Sequence, residues 1–258
     1  MIKQIKEVWD YRMMIGNLVK KELRVRYRGS VLGFLWSFLN PLFQLLVYTF
    51  LFSVVMRQNI DNYAMFLFVA LVPWLFCSAS LTGGSTCVIQ QAGLVQKIYF
   101  PRMVLPIVTV CSNFVNMLLS FIVVFVALLV TGVGITPVVW ALPVVMVIEF
   151  FFVLGMVLIV SAASVYFRDL EHILGIVTMA WMYLTPVLYS LDLVPEAIQG
   201  AMHFNPMTGI ILGFRDILYY QKVPDFSLMI VAIVAAAVLM VIGMLVFQKL
   251  QRKFAEEL

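Results

Sequence analysis

The chain has 258 residues, 64% of them apolar and only 12% charged, with a mean hydropathy of +1.05. A soluble domain is about half apolar and about a quarter charged, so too little polar surface exists here to wrap a water-soluble globule, and an integral membrane protein is expected. The net charge of +4 invites a nucleic-acid reading, but the placement of the basic residues is explained by membrane topology and no nucleic-acid partner is expected.

Residues 1–32 carry eight Lys or Arg and no early apolar core, so no cleavable signal peptide is expected. Ile2, Ile5, Val8, Trp9 and Met13 recur at helical spacing, with Lys3, Lys6, Glu7 and Asp10 elsewhere on the wheel. That pattern predicts a helix lying in the headgroup plane. The basic run LVKKELRVRYRGS then leads to the first long apolar stretch.

A helix needs about 20 apolar residues to cross the hydrocarbon core. Six stretches qualify: 33–56, 63–87, 103–131, 138–166, 173–191 (which contains Pro186) and 226–248. Lipid leaves helices as the sensible form for such runs. The expected fold class is therefore an all-α integral membrane protein of six transmembrane helices, forming a single domain over 1–258. Six crossings put both ends on one side. All Lys and Arg except Arg57, Arg215 and Lys222 then share that side, which the positive-inside rule makes the cytoplasm.

Between the second and third stretches, 88–102 (VIQQAGLVQKIYFPR) is too polar to span and long for a simple turn. It predicts a short cytoplasmic helix stopped by Pro101. The external segment 192–225 is long yet far from hydrophilic, and two helical pieces follow prolines in it, PEAIQGAMHF and PMTGIILGFRDILYY. An apolar helix of about 15 residues is re-entrant or interfacial rather than spanning. Irregular backbone at that depth needs shielding by protein or by a water-filled cavity, so this region is expected to dip back into the outer leaflet.

Glu149 is the one acid inside a predicted span. Asn113 and Asn116 on the preceding span fall at comparable depth and are candidate hydrogen-bond partners. Two readings stay open: a neutral, hydrogen-bonded group, or a functional site, as intramembrane ionisable groups suggest. Gly29 and Gly33 match the G-x-x-x-G helix-packing spacing. Cys77, Cys87 and Cys111 sit in apolar stretches without metal-ligand spacing and read as small hydrophobes. His172 and His203 stand apart from other metal-type ligands, and no metal is expected.

The string KELRVRYRGSVLGFLWSFLNP at 21–41, followed in order by KIYFPRMVLPI at 97–107, YFRDLEHI at 166–173, LTPVLYS at 184–190 and NPMTGIILGFRDILY at 205–219, resembles the permease subunits of ABC exporters for bacterial surface polysaccharides: O antigen, capsule or wall teichoic acid. The resemblance covers essentially the whole chain. It implies a homodimer in the bacterial inner membrane, docked on two copies of a separate nucleotide-binding ATPase. The implied substrate is a polysaccharide on a polyprenyl pyrophosphate or similar lipid. The sequence agrees on one point: no G-x-x-x-x-G-K-[ST] loop is present, and Gly83-Gly84-Ser85 lies in a span with no following Lys. ATP and Mg would thus be bound by the partner, and the chain itself is expected to be a transport subunit rather than an enzyme, with no cofactor.

The resemblance makes 88–102 a coupling helix for the ATPase, with Gln90, Gln91, Leu94, Lys97 and Tyr99 as contacts; the alternative is an ordinary loop. Lys20, Lys21, Arg24, Arg26 and Arg28 would attract the substrate pyrophosphate or anchor to anionic lipid, the second reading being preferred. Arg168, Asp169 and Glu171 form a charged turn, read as an ion pair or cap, or as a relay of motion from the ATPase. Trp36, Trp181, Tyr183 and Tyr189 are candidate channel-lining aromatics that could stack on sugars, against the interfacial aromatic belt; Phe38, Trp74 and Phe76 belong to the same set. The first and fifth stretches would line the path and the 194–220 region would close it. The rival functions are an ABC exporter of lipids or drugs, an ion-coupled secondary carrier, which should show inverted repeats and paired intramembrane charges, and a membrane-embedded enzyme with clustered acids or His.

Overall fold

The computed structural model describes residues 2–26, 29–30, 32–55 and 60–257, without the side chains of residues 2–5, 34, 53–55, 226 and 255–256. Arg28 of the basic cluster and Arg57 lie outside the described residues. The chain is 82% helix, and no strand occurs among the described residues. Among the described residues four helices are long and apolar enough to cross a membrane: Tyr63–Gln90, Val104–Val130, Pro137–Ser164 and Ser227–Lys253. They coincide with the second, third, fourth and sixth predicted stretches. This is a multi-pass, all-helical membrane protein.

The helices in chain order are α1 (Ile2–Asp10), α2 (Arg12–Arg26), α3 (Trp36–Thr49), α4 (Tyr63–Gln90), α5 (Ala92–Lys97), α6 (Val104–Val130), α7 (Leu142–Ser164), α8 (Leu170–Tyr183), α9 (Glu196–His203), α10 (Pro206–Leu218), α11 (Phe226–Leu250) and α12 (Phe254–Glu257). Of the four long helices one is mostly enclosed by protein rather than left to lipid. α4 is that helix, with α3, α6, α7, α8 and α10 packed around it. α7 is the second central helix and makes its most extensive contact with α11. There a Cβ on Gly155 would lie 2.6 Å from the Leu239 carbonyl carbon, and one on Gly243 would lie 2.5 Å from the Gly155 carbonyl oxygen. Lipid supplies no hydrophobic drive between helices, so small residues that let backbones touch supply the attraction.

The glycine pair singled out by spacing behaves otherwise. Gly29 and Gly33 have φ of +81° and +48°, and a Cβ on either would meet nothing within 4 Å. They are left-handed turn residues between α2 and α3, a conformation glycine adopts without steric cost, and not a packing face.

Three regions depart from the predicted outline. The single N-terminal helix is two helices, α1 and α2, the second running through the basic segment to Arg26. Its packed side is Tyr11, Met14, Ile15, Leu18 and Val19, while Trp9 and Met13 are exposed. The first apolar stretch is helical but composite: a 3-10 turn at Gly33–Leu35, α3, and a π-helical segment Phe50–Val55. The fifth stretch stops early. α8 has 14 residues, about 21 Å of helix against about 30 Å of hydrocarbon. The cause is Pro186, which lacks an N–H and turns the residue before it away from helical geometry. Thr185, Pro186, Val187 and Leu188 are nonetheless buried. α9 and α10 follow Pro195 and begin at Pro206, as predicted. Asn205 caps α10 by accepting from the Met207 N–H at 3.1 Å, and α10 is buried among α4, α7 and α11.

Candidate functional site

Both chain ends meet the 88–102 segment. Residues of α1, of 95–103 and of the α11 end line one cavity of about 680 Å³, among them Val8, Lys97, Tyr99, Arg102 and Gln251. Val95 and Phe100 anchor the segment in the core, and Leu94 is half-buried against it. Lys97, Ile98 and Tyr99 are exposed, Tyr99 by 88%. Gln91 is half-buried, and Gln90 donates back to Thr86 Oγ1 at 3.1 Å. So of the predicted contact set Lys97 and Tyr99 project freely and Leu94 turns inward, while Ile98, which sequence reasoning passed over, projects beside Tyr99.

A fully buried Phe254 joins this segment to the turn between α7 and α8. Its ring lies under the Arg102 guanidinium at 5.9 Å and contacts Phe247 at 5.6 Å and Tyr166 at 6.4 Å. Arg102 donates to the Gln251 carbonyl, and Tyr166 Oη donates to the Leu250 carbonyl at 2.8 Å. Phe167 follows Tyr166 and is 71% exposed. Arg168, Asp169 and Glu171 are exposed on the same turn. Asp169 takes the capping position of α8, but its side chain makes no capping bond. The two ion pairs seen among the described residues lie elsewhere. The expected ion pair or cap is therefore not formed.

The basic cluster divides. Lys20, Lys21 and Arg24 are exposed along α2, whereas Arg26 turns into the bundle. Its Nη2 donates to Asn113 Oδ1 at 2.9 Å and lies 3.8 Å from the Glu22 carboxylate. Ser112 Oγ donates to the other Glu22 oxygen at 2.9 Å. Asn113 lies nine residues into α6, about 13 Å along it. Two cavities meet at Arg26. One of about 340 Å³ is lined by Lys21, Glu22, Thr86, Gln90 and Gln91. The other, of about 420 Å³, is lined by Ser30, Trp36, Asn40, Asn113, Asn116 and Ser120. Trp36 is partly exposed and its Nε1 donates to Ser30 Oγ at 3.1 Å.

Asn113 is thus committed to Arg26 and not to Glu149. Glu149 is fully buried, and neither carboxylate oxygen has a hydrogen-bond partner among the described residues. The expected contact to Asn113 or Asn116 is not formed among the described residues: Asn113 turns its oxygen to Arg26 and its Nδ2 toward Gly83 of α4.

The opposite end of the bundle is built on a residue that sequence analysis counted only as an external charge. Arg215 is wholly buried in α10. Its guanidinium donates to the carbonyls of Phe66 (3.2 Å), Pro186 (2.6 Å), Val187 and Tyr189 (3.2 Å), and lies 3.6 Å over the Phe66 ring. Tyr63 Oη donates to the Leu188 carbonyl at 2.7 Å. The backbone groups released by the break at Pro186 are in this way satisfied, as burial requires. Nearly every residue of α10 from Met207 to Leu218 is buried, so helical spacing alone does not mark Arg215 as the charge turned inward.

The candidate channel aromatics divide too. Trp181 packs edge-on to Trp74 at 5.6 Å and donates to Asn205 Oδ1 at 3.2 Å. Tyr189 Oη donates to the Tyr183 carbonyl at 2.8 Å. Both serve the far-end network, which leaves Tyr183 exposed and Trp36 facing its cavity. The cysteines are free, and no cluster of metal-type ligands occurs among the described residues.

Residues 14–219 match the family described as ABC-2 type transporter. The chain belongs to that family. The match runs from α2 to the end of α10 and so takes in Arg26, the 88–102 segment and Arg215. The chain is 38% identical, over the full length of both proteins, to the O-antigen export system permease protein RfbA of Myxococcus xanthus. It is 35% identical to a protein of the same name from Klebsiella pneumoniae, covering 96% of this chain and 95% of that one. The polysialic acid transport protein KpsM of Escherichia coli is 21% identical over 80% of this chain and 81% of its own. The ABC-2 assignment makes this chain a membrane transport subunit rather than a catalytic one.

Proposed function

We propose that this chain is the permease subunit of an ATP-driven exporter that moves lipid-linked surface polysaccharide, with O antigen as its cargo, across a bacterial inner membrane. It works as a homodimer on two copies of a separate ATPase. The names and full-length similarity of the relatives support the cargo class. The observation that carries the mechanism is that Ile98 and Tyr99 project from the 88–102 segment and Phe167 from the α7–α8 turn, two segments tied together through Arg102, Phe254 and Tyr166. Exposed large apolar side chains on loop segments outside the long spans suit a protein partner. The absence of a phosphate-binding loop from the sequence assigns ATP to that partner.

In this reading the end that carries both termini is cytoplasmic. α3 and α8 are the two short spans of a six-span topology, and α9 and α10 re-enter from outside. α8, broken at Pro186, and α3 line the path between protomers. Lys20, Lys21 and Arg24 hold α2 to anionic lipid and concentrate the anionic headgroup of the substrate. Closure of the ATPases pushes α5. Because α5 is tied to α12 and through Phe254 to the α7–α8 turn, the push reaches α8 with little loss, and the charged turn 168–171 moves with it.

Affinity purification from native membranes in mild detergent tests this. A stoichiometric ATPase with a phosphate-binding loop is expected, and it should be lost from a folded Ile98→Ala/Tyr99→Ala variant, since aromatic hot spots cost about 2 kcal/mol or more on truncation. A homo-oligomer that transports with no ATPase would overturn the proposal.

A further inference from the structure

The cavity beyond Arg26 has a chemistry of its own. Amides and hydroxyls from Asn40, Asn113, Ser30 and Ser120 share it with one indole, Trp36, and Arg26 is the one charged residue among those lining it. Its volume of about 420 Å³ falls in the range of small-molecule pockets, about 300–1,000 Å³. Amides and hydroxyls beside an indole face suit a polyol whose ring has apolar C–H faces. Pro41, Val72, Leu75, Phe76, Ala79 and Met117 complete the wall and suit the apolar ring faces and the lipid beyond them, and the cavity offers no ligand set for a metal. The neighbouring cavity, on the side of Gln90 and Gln91, adds Lys21 and Glu22, so that with Arg26 two cations stand against one carboxylate there. Positive charge therefore stands at the mouth and neutral hydrogen-bonding groups stand inside.

From this we infer that the cavity is a seat for the first sugar of a glycosylated lipid phosphate, and that Arg26 exchanges Asn113 for the phosphate when the lipid arrives. The inference rests on the proposed export of a lipid-linked glycan and assigns a recognition site within it. Arg26 has donors to spare: its side chain is 37% exposed, and its one short bond is to a neutral amide. A guanidinium prefers a bidentate phosphate to a single amide oxygen. Glu22 is the competing anion. It sits at 3.8 Å, beyond hydrogen-bonding distance, and is held by Ser112. Once Arg26 turns to the phosphate, Asn113 Oδ1 is released inside the cavity and can accept a sugar hydroxyl. A bare lipid phosphate leaves that acceptor without a donor. Phosphate and sugar are thus read together, and a lipid carrier without its glycan is discriminated against at the entrance.

The test is equilibrium binding of two labelled probes to the permease in nanodiscs: a polyprenyl pyrophosphate carrying one N-acetylhexosamine, and the same polyprenyl pyrophosphate without a sugar. The sugar-bearing probe should bind about tenfold tighter, the scale of one unsatisfied polar group. Arg26→Gln should weaken both probes about tenfold, with Arg26→Lys intermediate. Asn40→Ala and Trp36→Leu should erase the sugar preference and leave the bare probe unchanged. Asn113→Ala, which frees Arg26 and removes the acceptor, should tighten the bare probe and abolish discrimination. Thermal unfolding in the same nanodiscs identifies any variant that fails to fold, and the conservative Trp36→Phe and Asn40→Ser then stand in for it. Equal binding of the two probes by the unmodified protein overturns the inference. So does a sugar preference that survives Asn40→Ala and Trp36→Leu, or a bare-probe affinity that Arg26→Gln leaves unchanged, either of which places the seat elsewhere but leaves glycan export standing. Failure of the unmodified protein to bind either probe would count against the export proposal itself.

Discussion

Two arginines stand at opposite ends of this bundle, and their surroundings differ in kind. Arg215 is fully buried, stacks on Phe66 and donates to four backbone carbonyls drawn from α4 and the 186–189 turn. Arg26 is more than one-third exposed, makes one short bond to an amide and faces two cavities. Charge-assisted hydrogen bonds are the strong ones, and Arg215 has committed its donors to holding the protein together. Arg26 has not. Rigidity therefore belongs to the far end, where a broken apolar stretch is sealed, and spare binding capacity belongs to the end that carries the termini. A transporter needs both, since one end has to admit a charged headgroup while the other stays shut.

The sharpest way to break this comparison is to truncate both arginines. Arg215→Ala strips donors from the carbonyls of Phe66, Pro186, Val187 and Tyr189. A buried unsatisfied polar group costs about 1–3 kcal/mol, and several together approach the about 5–15 kcal/mol margin of a folded protein. Folded permease should be lost or nearly so. Arg215→Lys, which keeps the charge but not the planar fork, should fold with a clearly lowered Tm. Arg26→Ala takes the donor from one buried acceptor, Asn113 Oδ1, and should cost about 1–2 kcal/mol. Thermal unfolding in detergent, followed by size-exclusion chromatography, reads all three. Equal losses for Arg215→Ala and Arg26→Ala would remove the distinction between a structural and an available arginine.

A smaller effect tests whether the frame shared by both ends is as tight as its geometry. Gly155→Val places side-chain atoms where the α11 backbone already stands, 2.6 Å from a built Cβ. α7 and α11 must then separate, and overpacking of this kind costs about 1–3 kcal/mol. Gly93→Val is the control. A Cβ there meets nothing within 4 Å, so only helix propensity changes, by a few tenths of a kcal/mol. A Tm for Gly155→Val that matches the Gly93→Val control would mean that the α7–α11 contact can relax.

Much of this architecture is legible in the sequence. Hydropathy and length placed the four long helices, and the prolines before α9 and at the start of α10 marked both short helices. The short helix expected in 88–102 is α5, although it stops at Lys97, four residues before Pro101, and residues 88–90 belong to α4. What stayed hidden depends on contacts between segments remote in sequence. Nothing local to Arg215 says that its partners are the carbonyls of residues 66 and 186–189. Treating Pro186 as a residue within a helix concealed that a break there releases carbonyls and so calls for a donor. Asn113 was matched to Glu149 by depth alone, and depth is silent about α2, which arrives from the other end of the sequence. Gly29 and Gly33 were read by spacing, but spacing has meaning only inside a helix, and their positive φ puts them outside one. The resemblance offered Leu94 as a contact residue, and its side chain packs partly against the core.

The smallest expected effect concerns the acid that both arginines ignore. Glu149 lies fully buried in α7 with no hydrogen-bond partner on either oxygen among the described residues. A charge held there would cost several kcal/mol, whereas Glu149→Gln preserves the shape and carries none. The variant should match the unmodified protein within about 1 kcal/mol in thermal unfolding and should export at the same rate. Glu149→Leu goes further and removes the unpartnered oxygens altogether. Replacing an unsatisfied polar group by an apolar one of similar size is neutral or stabilising, so its Tm should be equal or higher. The informative result is a split between the two readouts. If Glu149→Leu is stable and abundant but no longer exports while Glu149→Gln does, then the polar atoms of this side chain find a partner in another conformation of the cycle. If both variants are stable and neither exports, the requirement is for the ionisable carboxyl itself, and transport would depend on a third charged position in addition to the two arginines.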